Sequence, residues 1–443
     1  MPKIVLIGAG SGFGGRLSVD ILSFPELQDS ILALVDINPE ALAGVTRFVQ
    51  RVVEHHNLPT RVVGTTERRE VLQDADFVVV SIAVGGPAYN GVPFYYEVEI
   101  PKKYGVDQCV ADTLGPGGVF RTLRTAPEML AICRDMEELC PSALLLNYTN
   151  PMAMLTWLMT DGSGIRNVGL CHSVQGTHGQ LAGYIGKRRE DVRSWVAGIN
   201  HMSWFLRFEG ATGEERGRDL YPRLRQAMEN PEIYARDTVR FEILRHFGYF
   251  VTESTGHMSE YVPYFRKRPE LIAEYQLRTR TPERDGTGPR RFWQDDSPGG
   301  STVESDALAL KRSGEYASGI IHACWTDTLF RFNGNVRNDG LISNLQQGCC
   351  VEVPCLVDGT GVNPCVVGAL PTQLAALNQP NVAVQQLTVE AVLERDLDKA
   401  CMAVLLDPLT AAVCSLSEAK AMFDELLEAD WSWLEPYFGQ DSR

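Results

Sequence analysis

The sequence contains no uninterrupted apolar run approaching the ~18 residues of a membrane-spanning helix. Nor does a charged leader precede a cleavable apolar stretch: Lys3-Ile-Val-Leu-Ile-Gly-Ala-Gly opens directly, and the expectation is a cytoplasmic protein. Basic residues number 41 against 56 acidic ones, for a net charge of −15. A surface that acidic repels phosphate backbones and anionic lipid, so no nucleic-acid or membrane partner is expected. Eleven cysteines in 443 residues, an odd number, make no disulfide scaffold and point to a reducing compartment. Repeats and low-complexity tracts are missing too, which excludes solenoids and arrays. What remains is an ordinary globular composition, 44% hydrophobic and 22% charged. At ~150 residues per domain the chain is long enough for two or three joined units.

Over the first 200 or so residues, short aliphatic runs alternate with amphipathic stretches, the pattern of a parallel sheet with crossover helices. Strands are predicted at Ile4–Ile7, Ile31–Val35, Phe77–Ile82, Leu144–Leu146 and Val168–Leu170, and helices over 16–24, 40–55 and 125–139. Beyond about Trp195 the pattern becomes mixed. Residues 280–305 are polar and rich in Gly and Pro, which predicts a long loop, and Val384 to Phe438 reads as mostly helical.

Gly8-Ala9-Gly10-Ser11-Gly12-Phe13-Gly14-Gly15 follows the first strand and leads into a helix. Glycines there let backbone amides approach a pyrophosphate, and the helix N-terminus favours its charge. The spacing departs from G-x-G-x-x-G: Gly8 and Gly10 fit, but Phe13 stands at the third position and Gly14 comes one later. Asp36 closes the second strand, where a carboxylate accepts hydrogen bonds from an adenosine ribose and would repel a 2′-phosphate, favouring NAD over NADP. The cofactor-binding candidates are Gly8, Gly10, Ser11, Gly12, Phe13 and Asp36; the bland alternative is a tight strand-to-helix turn.

Further motifs follow in order: Ala111-Asp-Thr-Leu-Gly-Pro-Gly-Gly118, Asn147-Tyr-Thr-Asn-Pro-Met-Ala-Met154, Cys171-His-Ser-Val-Gln-Gly-Thr177, Gly198-Ile-Asn-His-Met202, Ser259-Glu-Tyr-Val-Pro-Tyr-Phe265 and Asn335-Val-Arg-Asn-Asp-Gly340. With these motifs the chain resembles the family-four glycoside hydrolases from the first strand to the C-terminal helices. The resemblance implies NAD and a divalent cation such as Mn²⁺ as cofactors, and an α/β fold. That fold is an N-terminal Rossmann-like doubly wound parallel sheet (residues 1–195) with a C-terminal α+β domain (196–443), as in lactate and malate dehydrogenases. It also implies a reaction outside the usual two-carboxylate scheme: oxidation at C3 of the sugar, deprotonation at C2, elimination of the aglycone, addition of water and re-reduction. The sequence Cys171-His172-Ser173-Val174 resembles that of α-galactoside-cleaving members, which implies an α-linked galactoside such as melibiose as substrate. Glucosides and uronides remain open.

The resemblance also distributes roles. Cys171 and His201 match the metal-binding pair, although a buried cysteine taken alone is more often structural. Asn150 would hold sugar hydroxyls, or simply end a strand in an Asx-type turn; Asn147 fits turn chemistry or a cofactor contact. Tyr261 matches a tyrosine base for C2, a phenol that needs a nearby cation to ionise, with Tyr264, His257 and Glu260 as competitors. For the acid, Asp112 and His172 both stand; Asp112 is also a substrate-binding candidate or a plain cap. Arg121, Arg124 and Arg337 lie in or beside the motifs, Arg337 being read as substrate-binding. A homodimer or homotetramer is implied, with Cys349-Cys350 at a subunit contact. A 2-hydroxyacid dehydrogenase shares the architecture, but no Asp-Arg-x-x-His-like arrangement supports it. A transcriptional regulator lacks a basic face or clear helix-turn-helix.

Overall fold

The computed structural model describes residues 1–85, 91–282 and 308–439. Six strands, β1 (Lys3–Ile7), β2 (Ile31–Val35), β3 (Arg61–Thr65), β4 (Phe77–Val80), β5 (Leu144–Asn147) and β6 (Asn167–Gly169), pair in parallel in the order β3-β2-β1-β4-β5-β6. Strands β1, β2, β4 and β5 are aliphatic and almost wholly buried, as a parallel sheet covered on both faces requires. The order reverses beside β1, and in such sheets ligands bind at that point, outside the carboxyl ends of the strands.

The sheet does not stop there. β9 (Phe330–Arg337) pairs antiparallel with β6, β10 (Cys350–Asp358) with β9, and β7 (Val192–Ile199) with β10. Outermost is β8 (Met202–Gly210), and β11 (Gly361–Pro364) pairs with β10, for eleven strands among the described residues. The expected α/β, Rossmann-like fold is therefore present, with a mixed extension.

Helix α1 (Gly12–Leu22) follows β1, with Ser11 as N-cap. Helix α2 (Pro39–His55) starts from Asn38, whose side chain accepts from Glu40 and Ala41 N–H, with Pro39 at the first position. Its buried residues Leu42, Val45, Val49 and Val52 recur every three to four positions and lie against the sheet. Helix α3 (Gly115–Leu139) begins ten residues before the predicted start at 125, because Pro116 is tolerated in a first turn, where its missing N–H costs nothing. Helices α4 (Met152–Gly162), α5 (Ser173–Tyr184), α6 (Thr255–Tyr261) and α7 (Ala317–Thr326) frame the rest of the site edge. The C-terminal part is helical as expected, including α8 (Thr372–Glu394) and α9 (Leu416–Phe438).

Strand β3 was not foreseen: it is a partly exposed edge strand with only two consecutive valines to mark it. The loop predicted over 280–305 lies outside the described residues from 283 onward. Cys349 and Cys350 are buried inside the chain at the start of β10, so they offer no surface for a subunit contact. All eleven cysteines are free thiols.

Candidate active site

The first part of the site is the turn after β1. Gly8 has a φ of +81°, and a Cβ there would overlap the Ser81 carbonyl after β4, so the turn passes at glycine-only distance from the neighbouring strand. A Cβ on Gly14 would likewise overlap the Ala9 carbonyl. The close packing of helix on strand that the third glycine of the fingerprint supplies therefore falls to Gly14, one place late. Asp36 at the end of β2 accepts from Gly10 N–H (2.7 Å) and Asn38 N–H (2.8 Å), which pins the turn to the second strand. The Phe13 ring stacks on Tyr148 at 5.1 Å.

The second part gathers beyond the carboxyl ends of β5 and β6. Cys171 follows β6 and precedes α5, and its Sγ accepts from Ser173 N–H at 3.4 Å. His201 occupies the tight turn of the β7–β8 hairpin with φ +59°, a left-handed conformation that histidine adopts more readily than most side chains. The turn brings His201 Nε2 to 3.1 Å from Cys171 Sγ. Thr113 Oγ1 sits 2.8 Å from His201 Nδ1 and donates to Asp112 Oδ1 at 2.8 Å. Asn150, after β5, donates to Asp112 Oδ2 at 3.0 Å, so four sequence candidates meet in one place. Asn147 stays in turn chemistry, accepting from Thr149 N–H.

Helix α6 closes the cluster. Tyr261 is 1% exposed and its hydroxyl makes no hydrogen bond among the described residues. Burial pushes its phenol well above the ordinary range, and the Asp112 and Glu260 carboxylates add to this. One turn earlier, His257 Nε2 lies 3.8 Å from Asp112 Oδ1, and the His257 and His201 rings stand edge to face at 4.7 Å. Tyr264, in contrast, is 43% exposed and packs on Phe247. Cys171 is a buried thiol pushed up by desolvation and by the Glu352 and Glu253 carboxylates, with Ser173 opposing. For Glu253, burial raises the carboxyl but His257, His201 and His172 outweigh it, leaving it below its ordinary value.

Several candidates fall elsewhere. Glu260 is no base: its two oxygens accept from Cys109, Val110 and Ala111 N–H and from Gln108 Nε2, so the carboxylate is consumed in shaping the loop that delivers Asp112. Arg337 is not brought to the site. β9 runs antiparallel to β6, with Asn335 opposite Gly169, so two residues further on Arg337 has turned back to the amino-terminal edge of the parallel strands, where it pairs with Asp161 and Asp339. Arg124 is locked against buried Glu97 (2.6 and 3.0 Å). Arg121 reaches the Asn150 carbonyl at 3.3 Å. His172 is half-exposed, with Nδ1 3.7 Å from Glu315.

Two residues carry no sequence signal. Glu352 is fully buried on β10, accepts from Ser203 Oγ at 2.7 Å beneath the His201 hairpin, and is pushed up to about 7 by burial. Glu253, left-handed at φ +75°, flanks His257. Neither stands in a motif, and only long-range pairing such as Glu352 opposite Gly198 places them.

The family 4 glycosyl hydrolase model matches residues 3–186, and the model of that family's C-terminal domain matches residues 196–410. The chain belongs to glycosyl hydrolase family 4. Among its relatives, an alpha-galactosidase of Bacillus subtilis is 41% identical over 99% of this chain and all of its own length. An alpha-galactosidase of Rhizobium meliloti is 38% identical over 98% of this chain and 89% of its own. A 6-phospho-beta-glucosidase of Thermotoga maritima, solved with manganese, NAD⁺ and glucose-6-phosphate, superimposes with a TM-score of 0.73 at 21% identity, covering 97% of this chain and 99% of that one. This family-4 hydrolase thus shares that fold.

Proposed function

We propose that this family-4 hydrolase cleaves terminal non-reducing α-galactosides, using NAD and a divalent cation such as Mn²⁺ in the cytoplasm. The observation that carries the reading is the meeting of Cys171, His201, Asp112 and Asn150 beyond the same sheet edge that carries the glycine turn. The near-full-length likeness to two alpha-galactosidases supports the sugar. The residues present fit both groups: the turn packs against β4 and the helix against the turn only because Gly8 and Gly14 lack a Cβ, the close packing a dinucleotide turn needs, and a thiol with an imidazole nitrogen 3.1 Å away is a metal donor pair. When bound, NAD supplies a reversible hydride acceptor for the sugar C3 and the cation polarises the adjacent oxygens.

The chain's own residues do the rest. NAD would set its pyrophosphate at the start of α1, where Gly12 is the first helical residue, and Asp36 would take the ribose hydroxyls. Cys171 and His201 hold the cation, and Asn150, oriented by Asp112, presents its amide to sugar hydroxyls. Tyr261 would remove the C2 proton, its phenol being held well above the ordinary range by burial until a bound cation favoured the phenolate. The leaving oxygen is protonated by Asp112 or His172, Asp112 from within the cluster and His172 from the solvent side. Residues 1–195 bind the nucleotide and 196–443 complete the site. The homodimer or homotetramer that the family resemblance implies is read directly by light scattering.

The test is hydrolysis of a nitrophenyl α-galactoside with thiol reductant, supplied with NAD⁺, Mn²⁺, both or neither, beside the α-glucoside and α-galacturonide. Release that needs both additions, without net NADH, and that slows with deuterium at C2 or C3, is the expected result. Release independent of NAD⁺, or faster release from either other sugar, overturns the mechanism or the substrate respectively.

A further inference from the structure

The two imidazoles of the site are held alike. His201 has its Nδ1 2.8 Å from Thr113 Oγ1. His257 has its Nδ1 2.8 Å from Ser254 Oγ, with the Glu253 carboxylate at 3.3 Å behind it. In each ring Nδ1 is fixed by a neighbour and Nε2 is left for another partner: His201 Nε2 toward Cys171 Sγ, His257 Nε2 toward Asp112 Oδ1. One ligand atom from each of Asp112, His201 and His257 falls within 4.8 Å of the other two, the spread of donors around a single ion.

We propose that His257 is a third protein ligand of the divalent cation, through Nε2, beside Cys171 and His201. The inference rests on the reading of the site as metal-dependent and extends its ligand set. The two ring centroids stand 4.7 Å apart, close enough for one nitrogen of each imidazole to reach the same ion. The carboxylate behind His257 completes a carboxylate–histidine–metal arrangement, which fixes the ring and strengthens it as a donor. Ser254 also accepts from the His257 backbone N–H, so a single hydroxyl sets both the helix start and the ring. The role leaves His257 out of proton transfer at C2 and assigns that step to Tyr261.

Mn²⁺ binding to the full-length enzyme, followed by equilibrium dialysis with NAD binding as the control for folding, tests the assignment. His257→Gln should weaken Mn²⁺ by at least ~10–100-fold, the loss that follows removal even of a partner one step removed from a metal, with NAD affinity unchanged. Independently of any variant, electron spin-echo of the Mn²⁺-loaded wild type should show two imidazole nitrogens. A single nitrogen, or unchanged Mn²⁺ affinity in the variant, overturns the ligand role while leaving the hydrolase reading intact. A wild type that binds no Mn²⁺ overturns both. Two nitrogens in an enzyme that spares galactosides sink only the substrate.

Discussion

Cys171 carries its proton in a place that penalises the thiolate, buried and facing the carboxylates of Glu352 and Glu253. A cation is then what displaces the proton, and metal binding should release it. Cys171→Ser is expected to lose more than tenfold in Mn²⁺ affinity and most of the activity while binding NAD normally; unchanged Mn²⁺ affinity would remove Cys171 from the site. Glu260 makes the opposite case, a carboxylate whose work is done in shaping backbone. Glu260→Ala strands several buried N–H groups, each costing ~1–3 kcal/mol, and should lower both Tm and kcat; a variant with a wild-type Tm would show that the loop stands without it. At this scale the motifs pointed to residues that do meet in space where local backbone positions them, as at Cys171, His201 and Asn150. They misled at Glu260 and Arg337, whose side chains are claimed by a loop 150 residues away and by the far sheet edge. Glu352 was invisible because nothing near it in sequence hints at His201.

Among the elements, the β1–α1 turn shows how a fingerprint tolerates a shift of one residue. The helix needs a small side chain wherever it passes closest to Ala9, and that is position 14. Gly14→Ala should force the turn open at a cost of ~1–3 kcal/mol and weaken NAD by roughly tenfold, measured by fluorescence titration; an unchanged affinity would mean that the turn does not set the cofactor's position. Periodicity found the buried strands and helix α2, whose apolar spacing is unambiguous. It missed β3, an edge strand with little to bury, and the first ten residues of α3, where glycine and proline read as a loop although the backbone is helical. The β7–β8 hairpin that presents His201 has no Asn-Gly signature. Its turn, Asn200-His201, instead places a histidine in the left-handed region, which Asn and His adopt more readily than most side chains.

For the molecule as a whole, stability should depend on pH through buried acids. Asp430 on α9 is pushed up to about 8 by burial, with the Glu97 carboxylate adding and Arg124 opposing. The folded state keeps a proton that the unfolded chain releases near its ordinary 3.8. Stability conferred by that proton is therefore full below about 4 and falls as pH rises toward about 8, by roughly 1 kcal/mol per pH unit. Asp430→Asn should raise Tm more at pH 8 than at pH 5.5, and an equal shift at both would refute the assignment. The continuity of the sheet has a different consequence. Because β6 is bonded to β9 across the join, a fragment ending near residue 186 would leave a raw strand edge open to other chains, and protease nicking there would yield aggregate rather than a free nucleotide-binding module. An exchange of halves between relatives must therefore carry a matching β6–β9 seam to keep the sheet closed.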